Sequence, residues 1–154
     1  MNNDIKTARQ LLTDGRYTCV LLANGKEYYS HERGVKPLIC FLQSNNSFVG
    51  AIAADKTVGA GAAHLYVLLG IRALWANIIS EAAIKILLAH NIDVLYGERV
   101  PHIINRQGNG VCPIETAVSG AKSSAEAYDL ILIALEQLKK RQERSYSATS
   151  KAKQ

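Results

Sequence analysis

The sequence contains no apolar run long enough to cross a bilayer, which takes about 20 consecutive apolar residues. Residues 1–10 alternate polar and charged side chains and contain no apolar segment of the kind found in a secretory signal. Both absences predict a cytoplasmic protein with no membrane partner. At 154 residues, with 48% hydrophobic and 20% charged side chains, the chain has the size and composition of one globular domain with one core.

Cysteine is also scarce. The three cysteines, Cys19, Cys40 and Cys112, are widely separated and form no Cys-x-x-Cys pair, so the sequence predicts reduced thiols. Cys19 and Cys40 lie in apolar stretches and are predicted to be buried. Cys112 precedes Pro113 at a predicted helix start, where the helix dipole favours a thiolate. It is therefore a candidate catalytic nucleophile, although the nearby Glu115 would disfavour that thiolate.

The body of the chain has no excess of positive charge. The net charge is +5, and residues 139–154 hold six Lys or Arg and one Glu. Residues 1–138 therefore contain twelve basic and twelve acidic side chains. A neutral body lacks the one-faced basic patch that binding to a phosphate backbone needs, so nucleic acid is not expected as a partner. We predict one domain over 1–140 and a basic, disordered tail over 141–154.

The order of the predicted elements indicates an α/β domain. Apolar spacing and capping residues predict helices over 3–14, 36–44, 58–69, 81–90, 112–118 and 123–140. Strands are predicted over 17–23, 26–30, 49–54, 71–78 and 93–96. Asn24-Gly25, between the first two strands, is typical of a tight type I′ hairpin. The later strands alternate with helices, as parallel βαβ units do, so the sheet should be mixed.

Two predicted strand ends carry polar side chains. In an open α/β sheet, ligands bind at the carboxyl ends of parallel strands, beside the free N–H groups of helix N-termini. Asp55, Lys56 and Gly59 follow one buried strand, and Ser80 and Glu81 follow the next. We predict that these residues line a ligand pocket, with Asp55 as a candidate catalytic residue. Each also has a structural alternative, such as a helix cap for Asp55 and Ser80 or a dipole partner for Glu81.

Polar residues elsewhere extend the predicted site. Arg33 and Lys36 lie at the start of the second helix, and Asn105 and Arg106 lie in a loop rich in turn residues. All four are predicted to bind the ligand, the cations by receiving a phosphate or carboxylate. Alternatively, each cation holds a loop through an ion pair. The available acidic partners are Glu32, Glu98 and Glu115.

The sequence lacks the zinc-binding motifs of nucleotide deaminases, His-x-Glu and Pro-Cys-x-x-Cys, each of which starts a helix. None of the four histidines is followed two residues later by Glu. The corresponding helix starts hold residues 59–63 and the run Ser80-Glu81-Ala82-Ala83, which offer no thiolate for zinc. We therefore predict no metal and no cofactor.

Four segments of the chain together carry a family resemblance. They are 32–38, 54–59, 79–81 and 100–115, which read ERGVKPL, ADKTVG, ISE and VPHIINRQGNGVCPIE. Over residues 5–138 the chain resembles a bacterial and archaeal family of unknown function that is assigned to the cytidine-deaminase-like superfamily and lacks its metal site. The resemblance implies a cytidine-deaminase-like three-layer α-β-α sandwich with a mixed sheet, and a homo-oligomer. It implies no particular reaction.

Three functions are compatible with these patterns. The leading hypothesis is a protein that binds a nucleotide-like, phosphate-containing small molecule at the strand ends, a ligand class that rests on analogy. The second is a metal-independent transferase or hydrolase, in which Cys112 or Asp55 is the nucleophile and Lys56 or Glu81 moves protons. The third is a module for self-association or for binding a partner. Its candidate aromatic anchors are Trp75, Tyr28 and Tyr29.

Overall fold

The computed structural model of the chain describes residues 2–152, with side chains for residues 3–147. Within these residues the helices are α1 (Asn2–Asp14), α2 (Lys36–Gln43), α3 (Ala60–Leu69), α4 (Glu81–Ala89), α5 (Pro113–Ala117) and α6 (Ser124–Ala152). The strands are β1 (Cys19–Ala23), β2 (Lys26–Ser30), β3 (Ile52–Val58), β4 (Ala73–Ser80) and β5 (Asp93–Val100). None of the helices in this described part of the chain combines the length and the apolar character that crossing a membrane requires.

The five strands form one mixed sheet in the order β2-β1-β3-β4-β5. β1 pairs antiparallel with β2 and with β3, whereas β3, β4 and β5 are parallel because α3 and α4 connect them. α1 packs on one face of the sheet through Ile5, Ala8 and Leu12. α2, α3 and α4 pack on the other face, and α6 packs against α3 and α5. The predicted fold class, an α-β-α sandwich with a mixed sheet, is confirmed.

The turn between β1 and β2 is the one that Asn24-Gly25 predicts. Asn24 has φ 54° and Gly25 has φ 73°, both in the left-handed region that a type I′ turn requires. Ala23 pairs with Lys26, so these two residues close the hairpin by themselves. The predicted hairpin is confirmed.

The parallel strands lie further along the chain than predicted. The predicted strand over 49–54 is β3, Ile52–Val58, because Gly50 adopts φ 78° in a turn that precedes it. β3 then continues through Lys56 and Thr57, since side chains that face water do not interrupt backbone pairing with β4. Asp55 and Lys56 therefore lie within β3, and their predicted place beyond the strand is wrong. β4 and β5 likewise extend to Ser80 and Val100.

The last helix is longer than predicted. α6 runs to Ala152, so its predicted end near Lys140 is wrong, and residues 141–152 are helical rather than disordered. The physical reason is that residues 124–152 contain no Gly or Pro, and many are good helix formers. Side chains 141–147 are exposed, and residues 153–154 lie outside the described part. The boundary between a domain over 1–140 and a tail stays a prediction.

The two cysteines that were predicted to be buried differ in solvent exposure. Cys19 is 2% exposed in β1, as predicted. Cys40 is exposed on α2, so its predicted burial is wrong. The buried face of α2 is formed by Leu38 and Ile39 and by Pro37. Cys40 follows Ile39 by one position, a rotation of about 100° around the helix, and this turns its thiol toward solvent.

Candidate functional site

The N-termini of α3 and α4 lie side by side at the carboxyl ends of β3 and β4. These strands are parallel neighbours, and each leads almost directly into its helix. Gly59 is the N-cap of α3 and supplies no side-chain cap. Ser80 is the N-cap of α4, and its Oγ accepts a hydrogen bond from the N–H of Ala83 at 3.2 Å. Free amide groups of two helices therefore face one edge of the sheet.

A buried carboxylate from α5 fills the space between these two helix N-termini. Glu115 Oε2 accepts hydrogen bonds from the N–H of Ala60 at 2.7 Å and from the hydroxyl of Ser80 at 2.8 Å. Its Oε1 accepts from the N–H of Ile103 at 2.9 Å, and Nδ1 of His102 lies 4.0 Å away. Glu115 is only 6% exposed. An anionic group is thus held by two backbone N–H groups and a hydroxyl at the positive ends of two helices.

Two glycines of the α3 N-terminus make room for α5. A Cβ at Gly59 would lie 2.8 Å from Glu115 Oε2 and 3.1 Å from Cγ1 of Ile103. A Cβ at Gly61 would lie 2.5 Å from Cγ2 of Ile114. Gly59 has an ordinary φ of −95°, so close approach rather than an unusual backbone conformation favours glycine there. The first turn of α3 therefore packs closely against residues 114–115 of α5.

Replacing Gly61 with alanine should lower the free energy of unfolding by about 1–2 kcal/mol. The added methyl group overpacks the contact with Ile114, which costs about 1–3 kcal/mol, while the better helix propensity of alanine returns up to about 1 kcal/mol. Urea denaturation measures the difference. Gly120→Ala is the matched control, because a Cβ there meets no atom within 4 Å. Equal stabilities of the two variants would contradict the close packing of Gly61 against Ile114.

Asp55 lies inside β3, where its carboxylate is bonded to a buried tyrosine. The hydroxyl of Tyr66 on α3 donates to Asp55 Oδ2 at 2.6 Å and lies 3.3 Å from Sγ of Cys19 on β1. The N–H of Thr57 donates to Oδ1 at 3.1 Å. Asp55 is 8% exposed, and Tyr66 and Cys19 are more deeply buried. The three side chains form a continuous polar chain between β1, β3 and α3.

Burial is the largest cause of the pKa shifts of Asp55, Cys19 and Tyr66. Burial raises the pKa of Asp55 to about 7, against the opposite effect of hydrogen bonds from Tyr66 and from the backbone of Thr57 and Lys56. Burial and the nearby Asp55 raise the pKa of Cys19 and that of Tyr66 well above their ordinary values. Cys19 is therefore a protonated, unreactive thiol at neutral pH. The contacts of Asp55 give it a structural role, and its catalytic role stays a prediction.

The remaining strand-end residues are distributed along the same edge of the sheet. Lys56 is exposed on β3. Glu81 is exposed at the start of α4, where its Oε1 lies 3.4 Å from the guanidinium of Arg99, a pair that the sequence did not indicate. Asn105 is half-buried and bonds within its own loop, and Arg106 is exposed in that loop. Of the predicted pocket residues, Gly59 and Ser80 are the two that meet Glu115.

Among the described contacts, Arg33, Lys36 and Cys112 make no hydrogen bond or ion pair with Ser80 or Glu115. Arg33 and Lys36 are exposed near the start of α2. Cys112 is half-buried as the N-cap of α5, three residues before Glu115, and makes no side-chain cap hydrogen bond. The role of these three residues in ligand binding or catalysis stays a prediction.

The histidines and acidic side chains do not assemble into a metal-ligand set. Within the described residues, no three His, Cys, Asp or Glu side chains are close enough to hold one ion. Buried His64 has a different partner, since its Nδ1 lies 3.0 Å from the Ser124 hydroxyl at the start of α6. This contact links α3 to α6, the satisfied role expected of a core histidine.

Comparison with known proteins identifies the family. The profile of a family described as a domain of unknown function (DUF1893) matches residues 7–133. The chain belongs to this family. The solved structure of a DUF1893 family protein from Thermotoga maritima is similar at a TM-score of 0.78 and 21% identity, over 89% of this chain and 91% of that one. The two proteins share a fold, and the family resemblance expected from the four segments is confirmed.

A second solved structure is similar over a smaller part of the chain. It is the apo form of dCMP deaminase from the cyanophage S-TIM5, with a TM-score of 0.40 and 14% identity, covering 64% of this chain and 95% of that one. No curated protein matches the chain. The description of the DUF1893 family supplies no reaction.

The role of Glu115 is what sequence reasoning missed in this family member. A Glu in the first turn of a helix indicates an interaction with that helix's own amides. Instead, the carboxylate crosses to Ala60, Ser80 and Ile103. The sequence feature that points to this contact is Gly59, which lies in the predicted pocket close to a helix start. A glycine there indicates that another group approaches the backbone closely, but it does not identify that group.

Proposed function

We propose that the protein binds a small nucleotide-like ligand through a phosphate group at the carboxyl ends of β3 and β4. The observation that carries the proposal is the Glu115 carboxylate, which accepts hydrogen bonds from Ala60, Ser80 and Ile103. Phosphate oxygens take the same donors, and helix N-termini attract both anions for the same electrostatic reason. In the bound state the phosphate occupies the position that Glu115 holds in the free protein.

Side chains on the loop after β5 suit the rest of such a ligand. Arg106 is exposed and lies three residues from Ile103, whose N–H is one of the three donors. Its guanidinium matches phosphate oxygens in pairs. The Asn105 side chain bonds to Asn109 through both its nitrogen and its oxygen, and its second amide hydrogen and second lone pair are what it offers to a base edge. Arg106 and Asn105 are therefore the proposed specificity residues.

Ligand binding has better geometric support than the enzyme hypothesis. The place held by the Glu115 carboxylate is called the anion position here. The Asp55 carboxylate is already bonded to Tyr66 and Thr57 inside the sheet, so it is not oriented toward the anion position. Cys112 has no hydrogen-bonded histidine or carboxylate among its described contacts that would activate it. The transferase or hydrolase activity stays a prediction, and so does the homo-oligomer.

Mass spectrometry and calorimetry test the proposal. Native and denaturing spectra of protein purified without added ligand, with metal analysis of the same sample, show what it carries from the cell. We expect a non-covalent nucleotide and no stoichiometric zinc. Calorimetric titration then compares nucleoside monophosphates with the corresponding nucleosides. We expect the phosphate group to improve affinity at least tenfold, because charge-assisted hydrogen bonds contribute more than about 1.4 kcal/mol.

Two serine variants locate the site. Ser80→Ala removes one donor from the anion position. Because Ser80 also donates to Glu115, its loss is measured in a background that carries Glu115→Gln, where the charge at position 115 no longer competes, and we expect nucleotide binding to weaken about tenfold. Ser123→Ala in the same background removes a hydroxyl with a similar capping role at α6 and should leave binding unchanged. Failure of every nucleoside monophosphate to bind at millimolar concentration, to the wild type and to Glu115→Gln, would overturn the proposal. Equal affinities with and without Ser80→Ala in that background would place the ligand elsewhere.

A further inference from the structure

The segment 101–118, here called the cap segment, is folded largely on itself. Its backbone hydrogen bonds join Asn105 to Gly110 and Cys112 to Ile103, and Ile104 forms an isolated antiparallel bridge with Val111. The Asn105 side chain closes the same loop. Most of its residues before α5 are exposed. The segment therefore keeps most of its internal hydrogen bonds if it moves as a unit.

The cap segment is attached to the rest of the chain by one buried carboxylate and by apolar contacts of α5. Glu115 makes hydrogen bonds to Ala60 and Ser80 of the body. Ile114 rests against Gly61, and Ile114 and Val118 are buried in the core, where α5 packs against α3 and α6. The carboxylate placed between two helix N-termini is the polar part of this attachment.

We propose that the cap segment is autoinhibitory, with Glu115 acting as a built-in competitor for the anion position. The inference rests on the proposed function and adds its regulation. A phosphate and the Glu115 carboxylate need the same Ala60 and Ser80 donors, and two anions about 3 Å apart repel strongly at a buried site. The ligand enters only when Glu115 leaves, so the apparent Kd equals the intrinsic Kd divided by the fraction of open molecules.

Weakening the attachment should therefore strengthen binding. Glu115→Gln keeps the shape of the side chain, removes its charge and replaces one acceptor oxygen with an N–H donor that faces other donors. We expect the apparent Kd for a nucleoside monophosphate to fall at least tenfold, measured by calorimetry. Glu126→Gln is the matched control, because Glu126 is exposed and accepts one hydrogen bond from the N–H of Lys122 at α6. Its Kd should equal that of the wild type.

Cysteine labelling provides a second measurement on the wild-type protein. Cys112 lies in the cap segment and is half-buried, while Cys40 is exposed on α2 and serves as an internal reference. Alkylation of each thiol is followed by peptide mass spectrometry with and without the nucleotide. We expect bound nucleotide to raise the rate at Cys112 severalfold and to leave the rate at Cys40 unchanged. This measurement decides the question even if Glu115→Gln fails to fold.

The outcomes separate the two proposals. If neither the wild type nor Glu115→Gln binds a nucleotide, the ligand-binding function itself is wrong. If the wild type binds, but Glu115→Gln binds no more tightly and Cys112 labelling does not change, the site is correct and the autoinhibitory cap is wrong. Tighter binding by Glu115→Gln together with faster Cys112 labelling supports both.

Discussion

Replacing Glu115 with alanine is expected to lower the free energy of unfolding by about 3–5 kcal/mol. The variant leaves three donors without their acceptor, the N–H groups of Ala60 and Ile103 and the hydroxyl of Ser80. Each unsatisfied buried donor costs about 1–3 kcal/mol, and water entering the vacated space recovers part of this loss. Urea denaturation at neutral pH, with the midpoint and slope fitted together, measures the change.

Glu126→Ala is the control for this result. Glu126 also accepts a backbone hydrogen bond, from Lys122 at 3.1 Å, but it is exposed to water. We expect it to cost no more than about 1 kcal/mol. A loss below about 1 kcal/mol for Glu115→Ala would mean that the buried carboxylate does not hold α5 against α3 and α4. An added nucleotide should raise the stability of Glu115→Ala more than that of the wild type, since ligand binding to the folded state adds to its stability.

Replacing Asp55 with asparagine is expected to stabilise the protein above neutral pH. Burial raises the pKa of Asp55 to about 7 in the folded chain, from an ordinary value of 3.8. The folded state therefore favours the protonated carboxyl. The stabilising contribution of the protonated Asp55 carboxyl is complete below about pH 4, declines as the pH rises and is lost above about pH 7. This difference in pKa corresponds to about 4 kcal/mol at most. The amide of the Asp55→Asn variant carries no charge at any pH, so the variant escapes this decline.

The difference in unfolding free energy between Asp55→Asn and the wild type should thus grow from pH 4 to pH 8. Urea denaturation at several pH values gives the curve. Cys19 and Tyr66, the other titratable groups facing Asp55, have raised pKa values and stay protonated throughout this range. Asp129→Asn, an exposed substitution on α6, is the control for removing a carboxylate outside the core. A flat curve for Asp55→Asn would show that Asp55 is ionised in the folded protein.

Local patterns were enough to predict the order of the elements and the turn chemistry. Asn24-Gly25 predicts the hairpin because the required positive φ angles depend on those two residues alone. Strand limits were harder to predict. The apolar run over 49–54 includes turn residues, and β3 and β5 continue through polar residues whose backbones are paired although their side chains face water. Hydrophobicity reports which side chains are buried, and pairing of the backbone is a separate property.

The candidate site was predictable in position and only partly in content. The strand-end rule places Gly59 and Ser80 at one edge because it depends only on the parallel order of β3 and β4. The contribution of Glu115 depends on how the segment after β5 folds back over α3, which joins residues 35 or more positions apart. Asp55 was predicted to line the pocket and lies in the core instead, for a related reason. Its partner Tyr66 lies on the next helix, and no spacing rule relates the two.

Most of the groups that hold the carboxylate belong to the main chain. The N–H groups at positions 60 and 103 are the same for nearly every amino acid, so substitutions there can leave the arrangement intact. The identities that the geometry restricts are the hydroxyl at position 80, the carboxylate at 115 and the small residues at 59 and 61. Homologous chains can therefore diverge widely around this edge and still retain it. A short, widely spaced signature of Gly, Gly, Ser and Glu would then be a better guide to shared function than overall identity.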